Sequence, residues 1–143
     1  MFASTYASRP ATRQMMGGLY QQVGVETRLA TASPHQLVAM LFEGYMEAVA
    51  QARGAMRNRQ IGAKGAAISR AVRILEEGLR AGLDRNAGGG LAQDLDELYG
   101  YLTWRLTMAN LRNDEEGLAE CQRLVEPLRE AWAAIGDAAP RRY

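Results

Sequence analysis

The chain holds a single histidine, His35, and a single cysteine, Cys121, so imidazole or thiolate chemistry would have to be built around one of these two side chains. Nucleophilic or general-base catalysis needs a second polar group within hydrogen-bond reach and a third to orient it. Neither residue carries such a signature. His35 follows Ser33-Pro34 in what reads as the first turn of a helix, where an exposed side chain is expected. Cys121 recurs with Leu118, Leu124 and Val125 in an apolar stripe, which makes it a small buried hydrophobe without a basic neighbour to activate it. The Glu-x-x-His pair of carboxylate-bridged metal bundles is missing, so no metal site is expected. Asp94, Asp96 and Glu97 gather near a helix start, where favourable charge with the helix dipole accounts for them without acid-base work. Gly88, Gly89 and Gly90 follow no strand and precede no Lys-Ser or Lys-Thr, so they read as a turn and not as a phosphate loop. The expectation is a chain that is not an enzyme and takes no cofactor.

Binding is the chemistry left. The net charge is +1, yet its distribution is uneven. Arg53, Arg57, Arg59, Lys64, Arg70, Arg73, Arg80 and Arg85 stand in the middle against only Glu76, Glu77 and Asp84, whereas the last third is acidic. Two readings compete: solvated helix faces that complement acidic neighbours, which is the usual fate of a charge run, or a nucleic-acid or regulatory module. The first is preferred and no nucleic acid is expected. A salt titration separates them, because phosphate-driven binding weakens steeply with salt.

The elements that position these residues are legible from spacing. Ser33 can cap a helix, Pro34 suits its first position, and Gln36 completes a capping box. From Pro34 to about Asn58, Leu37, Leu41, Tyr45, Ala48, Ala52 and Met56 recur at steps of four and three, with Val38, Phe42 and Val49 alongside, which makes a broad apolar face. A second helix follows to about Leu83 through Ile68, Val72, Leu75 and Leu79, and a turn spans residues 84–90. A third, over residues 91–111, carries a main stripe of Leu91, Leu95, Leu98, Leu102, Leu106 and Ala109. Asn113 is expected to cap a fourth, with Glu116 completing the box and Leu118, Cys121, Leu124, Val125, Leu128, Ala131, Trp132 and Ile135 as its buried face. Pro127 predicts a kink or a break near residues 123–126.

Short connections between four amphipathic helices point to an all-α, antiparallel up-down four-helix bundle with a short N-terminal docking segment. Residues 1–18 read as a flexible arm, 19–135 as the bundle and 136–143 as a loose tail. With one cysteine no intrachain disulfide forms, and with neither a signal peptide nor the roughly 20-residue apolar run of a membrane span, a cytoplasmic protein without membrane insertion is expected.

Apolar surface is in surplus. Besides its main stripe, the third helix carries Tyr101, Trp104, Met108 and Leu111 at steps of three, four and three on another face. Tyr20, Val23 and Val25 make residues 19–27 too apolar for a mere linker, and Met40, Met46, Met56 and Met108 suit an adaptable contact. Such a surface can take an amphipathic partner helix, or self-association can consume it.

Five blocks then agree in order with one family. Tyr20-Gln-Gln-Val-Gly-Val-Glu-Thr27, the stretch 31–44 from Thr31-Ala-Ser-Pro-His35 through Leu41-Phe-Glu-Gly44, Leu98-Tyr-Gly-Tyr-Leu102, Ala109-Asn-Leu-Arg-Asn-Asp114 and Arg129-Glu-Ala-Trp132 resemble FliS, the bacterial flagellar secretion chaperones. Tyr45 where a small residue is usual, Glu43 in place of Asp and a longer leader are the departures. The resemblance implies a non-enzymatic cytoplasmic chaperone that binds the disordered C-terminal segment of flagellin, stops premature polymerisation and holds it for the flagellar export apparatus. On that footing Tyr20, Val23, Val25, Met40, Leu41, Tyr101, Trp104, Met108 and Leu111 are the expected flagellin-binding or lid residues. The segment 19–25 is expected to fold back over part of that surface as a removable lid.

Overall fold

The computed structural model describes Thr5, Tyr6 and residues 30–136. Helix α1, Pro34–Arg57, begins as its sequence dictates: Gln36 N–H donates to Ser33 Oγ (3.1 Å) and Ser33 N–H to Gln36 Oε1 (2.8 Å), a complete capping box with Pro34 in the first turn. It stops at Asn58, and Arg59 turns the chain in the left-handed region at φ 58°. Helix α2, Ile61–Arg73, passes without interruption into a π-helical segment, Ile74–Arg80, which periodicity did not foretell. There Gly78 lies against α1 so closely that a Cβ would sit 2.7 Å from Leu41 Cδ2.

Helix α3, Arg85–Arg112, opens with one turn capped by Asp84 and is then divided by Gly89 at φ 54°, ψ −134°. The expected turn at residues 84–90 is therefore a capped helical turn with a glycine hinge behind it. Helix α4, Glu115–Ile135, is capped by Asp114, whose carboxylate accepts from Gly117 N–H (3.2 Å), and not by Asn113. Asn113 instead closes α3 at φ 52°, ψ 48°. Asn tolerates that left-handed conformation better than most side chains, so it takes the C-terminal role and Asp114 the N-terminal one. The break expected at Pro127 does not occur. Pro127 and Arg123, whose carbonyl loses its usual donor, are both exposed, so water can satisfy that oxygen.

Cross-chain contacts fix the topology. His35 and Trp132 join the start of α1 to the end of α4, while Arg53 and Glu115 join the end of α1 to the start of α4. Lys64 at the start of α2 meets Asn110 and Asn113 at the end of α3, and Arg80 at the end of the π segment meets Asp96 in the first half of α3. Arg105 meets Asp114 and Glu120. Each pair of neighbours is antiparallel: this is an all-α, up-down four-helix bundle, with no strand among the described residues.

Its core is one cluster, including Leu41, Phe42, Tyr45 and Val49 of α1, Ile74, Leu75 and Leu79 of the π segment, Leu102 and Leu106 of α3, and Leu118, Cys121 and Val125 of α4. On α3 the inward row is Ala92, Leu95, Tyr99, Leu102, Leu106 and Ala109; Leu91 and Leu98, expected in it, are half-buried, because the helix is rotated toward Tyr99. On α4, Leu124 and Ala131 are exposed where burial was expected. Among the described residues no buried side-chain polar atom lacks a partner.

Thr5 and Tyr6 fall in the stretch read as an arm, yet both pack on the bundle. Asp84 N–H donates to Thr5 O (2.5 Å), the Tyr6 hydroxyl bonds the Tyr99 hydroxyl (2.5 Å), and the Tyr6 ring stands edge-on to Trp132 with centroids 5.9 Å apart.

Candidate partner-binding surface

With Leu102, Leu106 and Ala109 turned to the core, helical geometry sends the residues about half a turn away outward. Trp104 is 56% exposed, Leu111 74% and Tyr101 39%, with Met108 half-buried between them. The Tyr101 and Trp104 rings lie 5.9 Å apart. The expected second stripe of α3 is thus an apolar row facing away from the core. Leu124, one turn beyond Glu120 on the same side of α4, adds apolar area near Tyr101.

The rim of this row is charged and held in place. Tyr101 donates its hydroxyl to Glu120 Oε2 (2.6 Å), and Arg105 bridges Glu120 Oε1 (2.8 Å) and Asp114 Oδ2 (3.1 Å). The Tyr101 hydrogen bond, then that of Arg105, holds the Glu120 carboxyl below its ordinary range. For Asp114 the Gly117 backbone N–H comes first and Arg105 second. These side chains support the row.

The remaining expected site residues are placed differently. Met40 is half-buried against the core, and Leu41 is fully buried beneath Gly78, so Leu41 presents no surface to a partner. The broad face of α1 that suggested a groove is covered by α2 and α4. Tyr20, Val23 and Val25, with the proposed lid at 19–25, lie outside the described residues.

His35 is not the free side chain expected. Its ring stacks on Trp132 at 4.9 Å with an interplanar angle of 9°, its Nε2 lies 2.7 Å from Trp132 O, and Trp132 Nε1–H donates to His35 O (2.9 Å). Cys121 is buried, burial pushes its thiol up to about 12, and its backbone carbonyl accepts from the Tyr45 hydroxyl (3.1 Å). Among the described residues no group of three or more His, Cys, Asp or Glu could hold a metal ion, and no helix is long and apolar enough to cross a membrane.

The basic middle is mostly consumed inside the bundle. Arg53 and Arg57 pair with Glu115, Arg70 with Glu47, Arg73 with Glu77, Arg80 with Glu76 and Asp96, and Arg85 with Asp96. Lys64 is only 6% exposed and donates to Asn110 O (3.1 Å) and Asn113 Oδ1 (2.5 Å). Of the eight cations in that stretch, only Arg59 is without a partner among the described residues. Among the described residues this pattern is that of faces complementing acidic neighbours.

Comparison with known proteins agrees with the motif blocks. Residues 16–139 match the family described as Flagellar protein FliS. The chain is 45% identical over 120 residues to the flagellar secretion chaperone FliS of Salmonella typhimurium, covering 84% of this chain and 89% of that protein. It is 44% identical over 116 residues to the flagellar secretion chaperone FliSB of Pseudomonas aeruginosa (81% and 91%). A more distant relative, FliS of Bacillus subtilis, is 34% identical over 113 residues (79% and 80%). With the match running through all four helices and along most of each relative, this chain belongs to the FliS family.

Proposed function

We propose that this protein is a cytoplasmic flagellar export chaperone that binds the C-terminal segment of flagellin, prevents its premature polymerisation and keeps it ready for the export apparatus. The observation that carries the reading is the exposed row of Tyr101, Trp104, Met108 and Leu111 on a bundle of the FliS family whose core is complete without it. A Trp left 56% exposed on the outer face of a well-packed helix is the kind of residue that anchors interfaces. A disordered partner that folds on such a row spends part of its contact energy on ordering itself, which keeps the complex reversible. The activity so proposed is binding and needs neither cofactor nor catalytic group.

Co-purification with the cognate flagellin, intact and lacking its C-terminal segment, tests it. Capture of the intact protein alone is expected; equal capture of both forms overturns the assignment of the segment. Trp104→Ala and Met108→Ala should weaken binding more than they lower stability. If instead the row is the seat of a second copy, the same substitutions dissociate a dimer and leave flagellin binding unchanged.

A further inference from the structure

Helix α3 carries two apolar stripes, and something must choose how it is turned toward the core. Its main stripe alone would centre Leu91, Leu98 and Leu102 inward, yet Leu91 and Leu98 are half-buried while Ala92 and Tyr99 are fully buried. The helix is turned away from its own apolar centre, which gives up apolar burial and needs a holding force.

That force is visible on one flank. Asp96, Thr103 and Asn110 stand at steps of seven. Residues seven apart drift only about 20° round an α-helix, so the three share one line. Each is fastened to α2 or to the π segment that continues it. Asp96 Oδ1 accepts from Arg80 Nε (2.8 Å), Thr103 Oγ1 donates to Glu76 Oε2 (2.6 Å), and Asn110 O accepts from Lys64 Nζ (3.1 Å). Arg80 also donates to Glu76 Oε2 (3.1 Å), which joins the Asp96 and Thr103 ties into one network. Between them Gly100 makes room, since a Cβ there would lie 3.0 Å from Arg80 Nη2. Asp96, Thr103 and Asn110 are all half-buried, where charged contacts are screened less than at the open surface.

Thr103 follows Leu102 by about 100° round the helix and Tyr101 precedes it by the same angle, so this polar seam and the exposed row lie on opposite flanks. Drawing the seam toward α2 swings Tyr101 and Met108 outward. The bonds from Tyr101 and Arg105 to Glu120 fasten the row's own edge, whereas the seam acts from the flank the row does not touch.

We propose that the seam is a rotation lock, in which Asp96 and Thr103, held by Arg80 and Glu76, are positioning residues that keep the second stripe of α3 open to a partner. The role rests on the reading of that stripe as the flagellin-binding surface. The lock itself can be measured without a partner.

Thr103→Val, and the pair Asp96→Ala with Thr103→Ala, release the lock; Thr103→Ser retains the hydroxyl. A thiol introduced by Met108→Cys reports the rotation in the full-length chain. Cys121 is buried and its own thiol is pushed up to about 12, so it does not compete for the label. Once released, α3 should turn back to bury Leu91 and Leu98, carrying residue 108 inward and slowing its labelling severalfold. A mere loosening of the bundle does the opposite, because a thiol labels faster when its helix opens more often. In chains without the probe, the released variants should bind a labelled peptide of the cognate flagellin's C-terminal segment severalfold more weakly. Thr103→Ser should match the wild type in both measurements, and Ser33→Ala, which lowers stability at the start of α1, should leave affinity unchanged.

Labelling that is unchanged or faster in both released variants overturns the lock, whatever happens to binding. Slower labelling with undiminished peptide affinity overturns the positioning role. An equal loss of affinity in Ser33→Ala assigns the effect to stability and overturns that role likewise. A wild type that does not bind the peptide removes the flagellin reading, and the positioning role with it, while the labelling rates still decide whether the lock exists.

Discussion

Substituting Lys64 by Met should destabilise the fold by about 1–3 kcal/mol, and the structure sets that figure. The ammonium is nearly sealed from solvent at 6% exposure and donates to Asn110 O and Asn113 Oδ1, a carbonyl and a side chain at the negative end of the α3 dipole. Each hydrogen bond from a charged donor contributes about 1.5–3 kcal/mol, so the gross loss is about 3–6 kcal/mol. Two terms offset it. Methionine keeps most of the apolar stem and removes the cost of holding an ion out of water, and Asn113, itself exposed, regains water at its freed oxygen. Lys64→Ala should cost roughly 2 kcal/mol more, through loss of packed methylenes. Urea unfolding reads the difference: with a slope of about 1–3 kcal/mol/M, a 2 kcal/mol loss moves the midpoint by roughly 1 M. A Lys64→Met midpoint corresponding to less than about 0.5 kcal/mol, the level of an ordinary surface change, would refute the reasoning. Arg59→Ala, at an exposed cation of the same end, is the control expected to stay within that limit.

Ser33→Ala should lower stability by about 0.5–2 kcal/mol by opening the capping box, measured as a shift in denaturation midpoint. Tyr6→Phe should cost about 1 kcal/mol by leaving the buried Tyr99 hydroxyl without its partner, and Tyr6→Ala should cost more and alter Trp132 fluorescence; unchanged stability in both would mean the contact contributes nothing. Acidification should destabilise the bundle. Asp96, held low first by Arg80 and then by Arg85, and Glu115, held low first by Arg57 and then by Arg53, contribute stability that is present above their ordinary values of 3.8 and 4.5 and is lost as pH falls through the depressed ones. High salt should blunt that slope, and a flat stability profile from about pH 5 to about pH 3 would count against these pairs.

What the sequence made legible is what local chemistry decides. Ser33, Pro34 and Gln36 specify a helix start within four residues, and the structure has it there. The exposed row of α3 followed from having two stripes on one helix, only one of which can face a core. The turn at Gly89 followed from three successive glycines. Asn113 and Asp114 show where such reasoning stops, since both cap well, and only the left-handed geometry between α3 and α4 decides which does what. Lys64 could have been found: it stands four residues before Ile68 and seven before Ala71 on the buried stripe of α2, a position at which a cation signals an acceptor nearby.

Other features depend on partners far along the chain and leave no local trace. Tyr6 is anchored by Tyr99, 93 residues away, and His35 by Trp132, 97 residues away, so neither neighbourhood announces the contact. The π-helical segment is of the same kind. Its apolar spacing reads as ordinary helix, while the altered geometry brings Gly78 under Leu41, Glu76 to the Thr103 hydroxyl (2.6 Å) and Arg80 to Asp96 (2.8 Å). The burial of Leu41 has a related reason: a wide apolar face shows that much must be covered, but not whether the chain's own helices or a partner will cover it.

On the function proposed above, that distinction separates folding from binding. The side chains that hold the bundle together, Tyr45 on the Cys121 carbonyl, Lys64 on the end of α3 and His35 on Trp132, all lie inside or between helices, and removing any of them should act on stability. Trp104 and Leu111 touch no part of that scaffold deeply enough to be buried by it, and truncating them should leave stability nearly untouched. A partner that is disordered when free gains most from such an arrangement, because a rigid seat adds no ordering cost of its own to the cost of ordering the partner. Arg105 and Glu120 sit at the boundary between the two sets. They fasten α3 to α4 and also fix the Tyr101 hydroxyl at the edge of the row, so Glu120→Gln should loosen Tyr101 and weaken partner binding as well as lowering stability. A Glu120→Gln variant that lost stability yet bound its partner at full strength would show that the row does not depend on its rim.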